Sequence, residues 1–311
     1  MVKKKVTIVG AGNVGATAGM LLALHDIADV CLIDVVEGVP QGKALDMMHM
    51  RSVEQFESRV TGTNDYKDTA DSDVVVITAG IARKPGMTRD DLLGINSKIM
   101  TDVIGNVMAV SPAAIVVCVT NPLDIMTYLA YKKSGLDKSR IFGMGGVLDS
   151  ARFTFAVAEK TGADVADITS WAMGAHGDAM TPMPRFTTVK GTPITEILSG
   201  EEVDELVHRT VFGGAEVVAH LKTGSAFYAP AASIAHMVSA IVLDTREIMP
   251  CCTYLNGEYG ISDVFISVPA RLGAAGIEEV VEFDFNEAEL AALRGSAATV
   301  AASLDALGLR G

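Results

Sequence analysis

The chain has 311 residues, 49% of them hydrophobic, with 25 Lys+Arg against 38 Asp+Glu for a formal charge of −13. That length suits one large domain or two of ordinary size, and the apolar share supports a sizeable core and excludes a disordered chain. The acid surplus argues against nucleic-acid and anionic-membrane partners, which want clustered Lys and Arg, and no run reaches the ~18 uninterrupted apolar residues of a transmembrane helix.

The N-terminus, MVKKKVTIVG, passes from three lysines straight into a short apolar strand. A signal peptide needs a longer apolar region and a small-residue cleavage site, so a cytoplasmic location is expected. The first strand, KVTIVG (5–10), runs into GAGNVG, which holds Gly10, Gly12 and Gly15. A lone G-x-G-x-x-G is weak, but here it follows a strand and opens the helical stretch GATAGMLLALH (15–25). Gly10 permits the tight turn, Gly12 lets a pyrophosphate approach the backbone, and Gly15 lets the helix pack on the strand. Free N–H groups at the helix start complete an anion site. The second strand, VCLIDV (30–35), places Asp34 where such a fingerprint wants an acid for a ribose hydroxyl. A carboxylate repels a 2′-phosphate, and Val35 and Val36 supply no compensating Arg, so NAD is preferred over NADP. The competing reading is a Gly-rich turn whose Asp caps the next helix, and a methyltransferase shares part of the pattern.

Two further runs, SDVVVITAG (72–80) and AAIVVCVTN (113–121), are β-branched and nearly all apolar, as parallel strands buried on both faces are. With the amphipathic stretch 91–110 between them, the alternation predicts an α/β fold, a Rossmann-type doubly wound parallel sheet. Residues 81–92, IARKPGMTRDDL, read as a loop, because Pro85 and Gly86 interrupt either regular structure. The loop carries Arg83 and Arg89 on either side of that break. TNPLD (120–124) sets Asn121 at the carboxyl end of a sheet strand, where ligands of open α/β sheets bind. Asn121 can also cap the helix that Pro122 starts.

A Gly-rich turn, GMGGV (143–147), marks the expected boundary between residues 1–145 and 146–311. Beyond it, helical patterns at 147–160, 202–222, 229–247 and 286–304 mix with strand candidates at 167–173, 184–190, 248–254, 264–269 and 277–282. These strands lack regular crossover helices, so an α+β substrate domain with antiparallel pairing is expected. VLDSARF (147–153) carries Asp149 and Arg152 at i, i+3 on one helix face, and GAHGD (174–178) exposes His176 on a Gly-flanked turn after a strand. An imidazole titrates near working pH and suits proton transfer. Asp149 would orient it, and Arg152 would grip a carboxylate through parallel hydrogen bonds. A routine surface ion pair and a surface histidine are the bland alternatives. Cys31, Cys118, Cys251 and Cys252 form no C-x-x-C pair, so neither zinc nor a disulfide framework is expected.

GAGNVG, Asp34, ARKPGMTR, VTNPLD, VLDSARF and GAHGD stand in an order and spacing that resemble the lactate/malate dehydrogenase superfamily. The likeness covers the whole chain, including KTGSAFYAP (222–230) and LNGEYGISD (255–263), and is closest to its lactate-dehydrogenase-like malate dehydrogenases. The resemblance implies His176 as proton acceptor, Asp149 as its partner and Arg152 as the clamp on one substrate carboxylate. It implies that Arg89 polarises the substrate carbonyl, that Asn121 contacts substrate and nicotinamide, and that Asn13, Val14, Asn96 and Val119 join the cofactor contacts. Arg83 falls where malate enzymes carry Arg and lactate enzymes carry Gln. Ala175 departs from the more usual Gly-Gly-His-Gly, and Trp171 and the pair Cys251-Cys252 have no functional account.

The resulting expectation is reversible, NAD-dependent oxidation of (S)-malate to oxaloacetate, with loop 81–92 as a lid that brings its arginines onto a small dicarboxylate. A lactate or other 2-hydroxyacid dehydrogenase is the neighbouring reading, and a non-catalytic dinucleotide-binding redox sensor the remote one. Also implied are a homodimer or homotetramer, with apolar helices at 15–25, 44–50 and 229–243 to supply interfaces, and a place in the tricarboxylic acid cycle.

Overall fold

The computed structural model describes residues 3–81 and 88–310. They form two compact units, the first made of Met1–Met144, Pro230–Glu247 and Arg271–Glu279, the second of Gly145–Ala229, Ile248–Ala270 and Val280–Gly311.

In the first unit strands and helices alternate as β1 (Lys5–Val9), α1 (Asn13–Leu24), β2 (Asp29–Ile33), α2 (Val39–Glu54), β3 (Val60–Thr63), β4 (Val74–Ile77), α3 (Arg89–Val110), β5 (Ile115–Cys118), α4 (Leu123–Ser134) and β6 (Ile141–Gly143). The strands line up as β3-β2-β1-β4-β5-β6. The pairings are parallel, with Ile8 between Leu32 and Val76. Every position of β4 and β5 is buried, as the β-branched runs demand of strands covered on both faces. Strand order reverses at β1, which has β2 on one side and β4 on the other. The crevice at the carboxyl ends of these strands is where an open α/β sheet receives its ligand.

Two strands escape the sequence pattern. β3 reads VTGT, with no apolar run, and β6 has only three residues. The loop expected over 81–92 ends earlier than its residues suggest: α3 begins at Arg89, because Thr88 and Asp91 close a capping box with reciprocal bonds of 3.0 Å. Arg83 lies outside the described residues.

The second unit is built on α5 (Gly146–Thr161), β7 (Ile168–Thr169), β8 (Ala172–Gly174), β9 (Met180–Pro182), β10 (Thr188–Val189), β11 (Thr192–Pro193), α6 (Ile194–Ile197) and α7 (Gly200–Leu221). The chain then forms α8 (Tyr228–Leu243), β12 (Glu247–Asn256), β13 (Ser262–Gly273), β14 (Gly276–Val280) and α9 (Glu287–Ala306). β8 pairs antiparallel with both β13 and β9, and β10 antiparallel with both β11 and β7. The strand expected over 184–190 is short: Pro184 starts a 3-10 turn over Pro184–Phe186, and only Thr188–Val189 pairs. Phe153, Val157, Ile168, Ile194, Val203 and Leu206 form a buried cluster that anchors α5 and α7.

Trp171, which carried no functional account, stacks edge-on against Phe283 at 4.8 Å between ring centres and belongs to an aromatic cluster with Phe186 and Phe285. Cys251 and Cys252 are both fully buried on β12. No helix among the described residues is long and apolar enough to cross a membrane.

Candidate active site

One group of candidate residues is the loop between β1 and α1. Gly10 holds φ +105°, and a Cβ there would sit 2.8 Å from the Ala79 nitrogen. A Cβ on Gly15 would fall onto the Gly10 carbonyl, so both glycines are steric requirements of the turn. Gly12 caps α1 without a side-chain bond, and a Cβ there would meet nothing within 4 Å. The helix therefore presents open backbone N–H groups at Asn13, Val14 and Gly15, as a pyrophosphate site needs.

Asp34 lies just past β2. Its Oδ2 accepts the Ala11 N–H at 2.7 Å and its Oδ1 the Val36 N–H at 3.0 Å. A carboxylate has about four acceptor positions, so capacity remains for ribose hydroxyls. The Lys43 ammonium, on α2, donates to the Ala11 carbonyl at 2.7 Å. Ala11 is thus held on both sides by opposite charges, through the N–H of the peptide before it and the carbonyl of the peptide after it. The sequence reading passed over Lys43; its signal, a single basic residue early in a helix, is too common to single out. Nothing in this cradle is at odds with a dinucleotide.

At the carboxyl end of β5, Val119 is half-buried and Asn121 exposed. The peptide Asn121–Pro122 is cis. Asn121 does not cap α4, because Pro122 occupies the capping position and the helix starts at Leu123. Asn96 is fully buried on α3: its Oδ1 accepts the Ile81 N–H at 2.9 Å, and its Nδ2 donates to the Ile81 carbonyl at 3.2 Å and the Asn121 carbonyl at 2.7 Å. With both amide hydrogens committed, Asn96 braces the strand end and the start of the arginine loop.

A second group of candidate residues lies on α5 and the β8–β9 loop. Asp149, in the first turn of α5 where the helix dipole favours an anion, is 3% exposed. Its Oδ2 meets His176 Nδ1 at 2.9 Å, and its Oδ1 accepts from Arg152 Nη1 at 3.2 Å. The structure thus brings together three residues that the sequence separates. Around them, serine hydroxyls tie α5 to β8, to the residue segment before it and to β13. Ser150 Oγ accepts the Ala172 N–H at 2.8 Å, and Ser170 Oγ donates to the Ser150 carbonyl at 2.7 Å. Ser267 Oγ accepts the Gly146 N–H at 3.0 Å.

Arg152 has a further accommodation. It lies against Gly213 and Gly214 of α7, where added Cβ atoms would come within 3.3 Å of its Cδ and Nη2 respectively. Two adjacent glycines inside a helix cost about 1 kcal/mol each relative to alanine. They leave space for the guanidinium, and the Gly-Gly pair within a helical pattern is the signal by which they were open to detection.

Two family models match the chain: lactate/malate dehydrogenase, NAD binding domain, over residues 4–143, and lactate/malate dehydrogenase, alpha/beta C-terminal domain, over residues 146–307. A malate dehydrogenase of Chlorobium limicola is 52% identical over 304 residues, 97% of this chain and 98% of the relative. The malate dehydrogenase structure from Salinibacter ruber superposes with a TM-score of 0.94 at 46% identity, covering 98% of this chain and 97% of that one. The Cryptosporidium parvum lactate dehydrogenase complexed with lactic acid and nicotinamide adenine dinucleotide superposes with a TM-score of 0.94 at 36% identity, covering 98% and 99%. Family models spanning both halves and full-length relatives at this identity place the chain in one family: it belongs to the lactate/malate dehydrogenases.

Proposed function

We propose that this chain is an NAD-dependent malate dehydrogenase that interconverts (S)-malate and oxaloacetate. The observation that carries the proposal is the buried Asp149 carboxylate, which holds His176 Nδ1 with one oxygen and Arg152 with the other. The full-length relatives named malate dehydrogenase support the substrate.

NAD, when bound, supplies the hydride acceptor; the protein's part is to bind, orient and move one proton. Gly10, Gly12, Asn13, Val14 and Gly15 would hold its pyrophosphate, and Asp34 would take its ribose hydroxyls. Val119 and Asn121 line the far end, and Asn96 acts there through the Ile81 and Asn121 backbone. With Nδ1 committed to Asp149, His176 takes the hydroxyl proton of malate at Nε2 and returns it to oxaloacetate in reduction. Asp149 fixes the tautomer and stabilises the imidazolium. Arg152 grips one carboxylate in a bidentate contact, Arg83 pairs with the other, and Arg89 polarises the carbonyl. A division near 145/146 into cofactor and catalytic halves is part of this reading, supported by the two matched segments. So are a homodimer or homotetramer, a cytoplasmic location and a place in the tricarboxylic acid cycle.

The test is NADH oxidation followed by absorbance with oxaloacetate and with pyruvate. Preferential turnover of oxaloacetate is expected. Preference for pyruvate would move the chain to the lactate branch, and no turnover of either would leave only dinucleotide binding.

A further inference from the structure

His176 stands on the short loop 175–179 between β8 and β9, beyond the last paired residues, Gly174 opposite Met180. One buried side chain from another element holds both ends of that loop. Ser296 on α9, 4% exposed, accepts the Ala175 N–H at Oγ at 2.8 Å and donates from Oγ to the Ala179 carbonyl at 2.6 Å. One of its two lone pairs and its single proton are used in this way. Ser296 is a polar break in the face that α9 buries, whose other members include Leu293, Ala297, Val300 and Leu304.

The fit is tight. Gly174 sits at φ +81°, and a Cβ there would lie 2.6 Å from Ser296 Oγ and 3.1 Å from Thr181 Oγ1. The strand end is therefore seated directly on the serine hydroxyl. The two bonds bracket His176, one at the residue before it and one three residues after it. They replace the strand ladder where the chain has to leave the sheet to present the imidazole.

We infer that Ser296 is a positioning residue for His176. It clamps the loop so that Nδ1 stays at the 2.9 Å it keeps from Asp149 Oδ2. A hydrogen bond of this length weakens steeply once its donor turns away, and a displacement of about 1 Å in a reacting group can cost roughly 10²-fold in rate. Ser296 touches neither partner and acts through the backbone on either side of the histidine.

The inference rests on the dehydrogenase reading, so the parent chain's oxaloacetate-dependent NADH oxidation is measured first; an inactive parent defeats that reading, not the clamp. Ser296→Ala is then compared with Ala297→Gly, which weakens the same helix without touching the loop. In Ser296→Ala, kcat is expected to fall about 10–100-fold, with the oxaloacetate KM and the NADH Kd within about threefold of the parent. Ala297→Gly, at a similar loss in melting temperature, is expected to keep its kcat. The clamp is overturned if Ser296→Ala keeps kcat within about twofold, or if Ala297→Gly loses as much. Ser296→Cys, which keeps the volume and weakens both bonds, is read the same way should the alanine variant not bind NADH. Loss of NADH binding in both makes Ser296 a structural staple and equally overturns the clamp.

Discussion

Asp149 Oδ2 lies 2.9 Å from His176 Nδ1, although 27 residues of chain separate them. Asp149 is 3% exposed, so the contact is shielded from solvent and the carboxylate's two bonds replace its lost hydration. Asp149→Asn keeps the shape and removes the charge that favours imidazolium. We predict a kcat loss of roughly 10²–10⁴-fold, by the logic of an orienting acid behind a histidine base, with NADH affinity measured by fluorescence unchanged. A variant retaining a third or more of the parent rate would show that Asp149 only fills space.

Gly214→Ala separates stability from function by sign. Alanine is about 1 kcal/mol better than glycine inside a helix, so the melting temperature should hold or rise. The new Cβ would stand 3.3 Å from Arg152 Nη2, so the guanidinium has to shift. The oxaloacetate KM should rise several-fold while NADH affinity stays constant. A lowered melting temperature with an unchanged KM would mean that Gly214 serves helix packing alone.

How much of this was legible in the sequence depended on whether the signal was local. β1, β2, β4 and β5 declare themselves because strands buried on both faces must be apolar throughout. The glycine loop is legible because each glycine answers a local steric demand. β3 was missed because an edge strand written VTGT has no hydrophobic pattern to read. The Asp149–Arg152 pair is an i, i+3 relation on one helix, but its meeting with His176 depends on tertiary packing through Ser150 and Ala172. Ser296 was invisible for the same reason, since a small residue on the buried face of α9 looks like ordinary packing. The resemblance to a known family supplied the roles that spacing alone left open.

On the proposed reading, Arg83 pairs with the second substrate carboxylate. A three-carbon 2-oxo acid would leave that guanidinium without its partner, and losing one partner of a buried ion pair costs about 3–5 kcal/mol. Arg83→Gln is therefore predicted to change the ratio of kcat/KM for oxaloacetate over pyruvate by roughly 10²–10³-fold in favour of pyruvate. An unchanged ratio would remove Arg83 from the specificity argument.

Acid stability should depend on Asp26. Its Oδ1 accepts from Lys3 Nζ at 2.6 Å and from the Glu57 and Ser58 N–H groups at 2.7 and 2.8 Å. The Lys3 ammonium is the largest cause; desolvation opposes it next, and the Glu57 and Ser58 N–H groups add to the lysine, so the carboxyl stays well below the usual range. A depressed carboxyl pKa stabilises the fold above the unfolded value, near 4, and the contribution is lost as pH falls toward the folded one. Asp26→Asn should lower the melting temperature at pH 7, with a gap to the parent that narrows steadily below pH ~4. A gap constant from pH 7 to pH 2 would show that the charge plays no part.

Lys43 offers a test of the cofactor cradle that leaves the proton-transfer group alone. Its ammonium holds the Ala11 carbonyl at 2.7 Å while Asp34 holds the N–H of the same residue, also at 2.7 Å. Removing the cation frees the Ala11 carbonyl and takes a positive charge away from the anion site. Lys43→Met keeps the aliphatic stem and its packing. The NADH Kd is predicted to rise about 5–20-fold, the scale of one charge-assisted hydrogen bond near 1.5 kcal/mol, with kcat at saturating NADH within about twofold of the parent. Asp34→Asn should weaken binding through the same loop, and because both residues hold Ala11, the double variant should lose less than the two single losses combined. Fully additive losses would show that Lys43 and Asp34 meet the cofactor separately and that the shared residue is incidental.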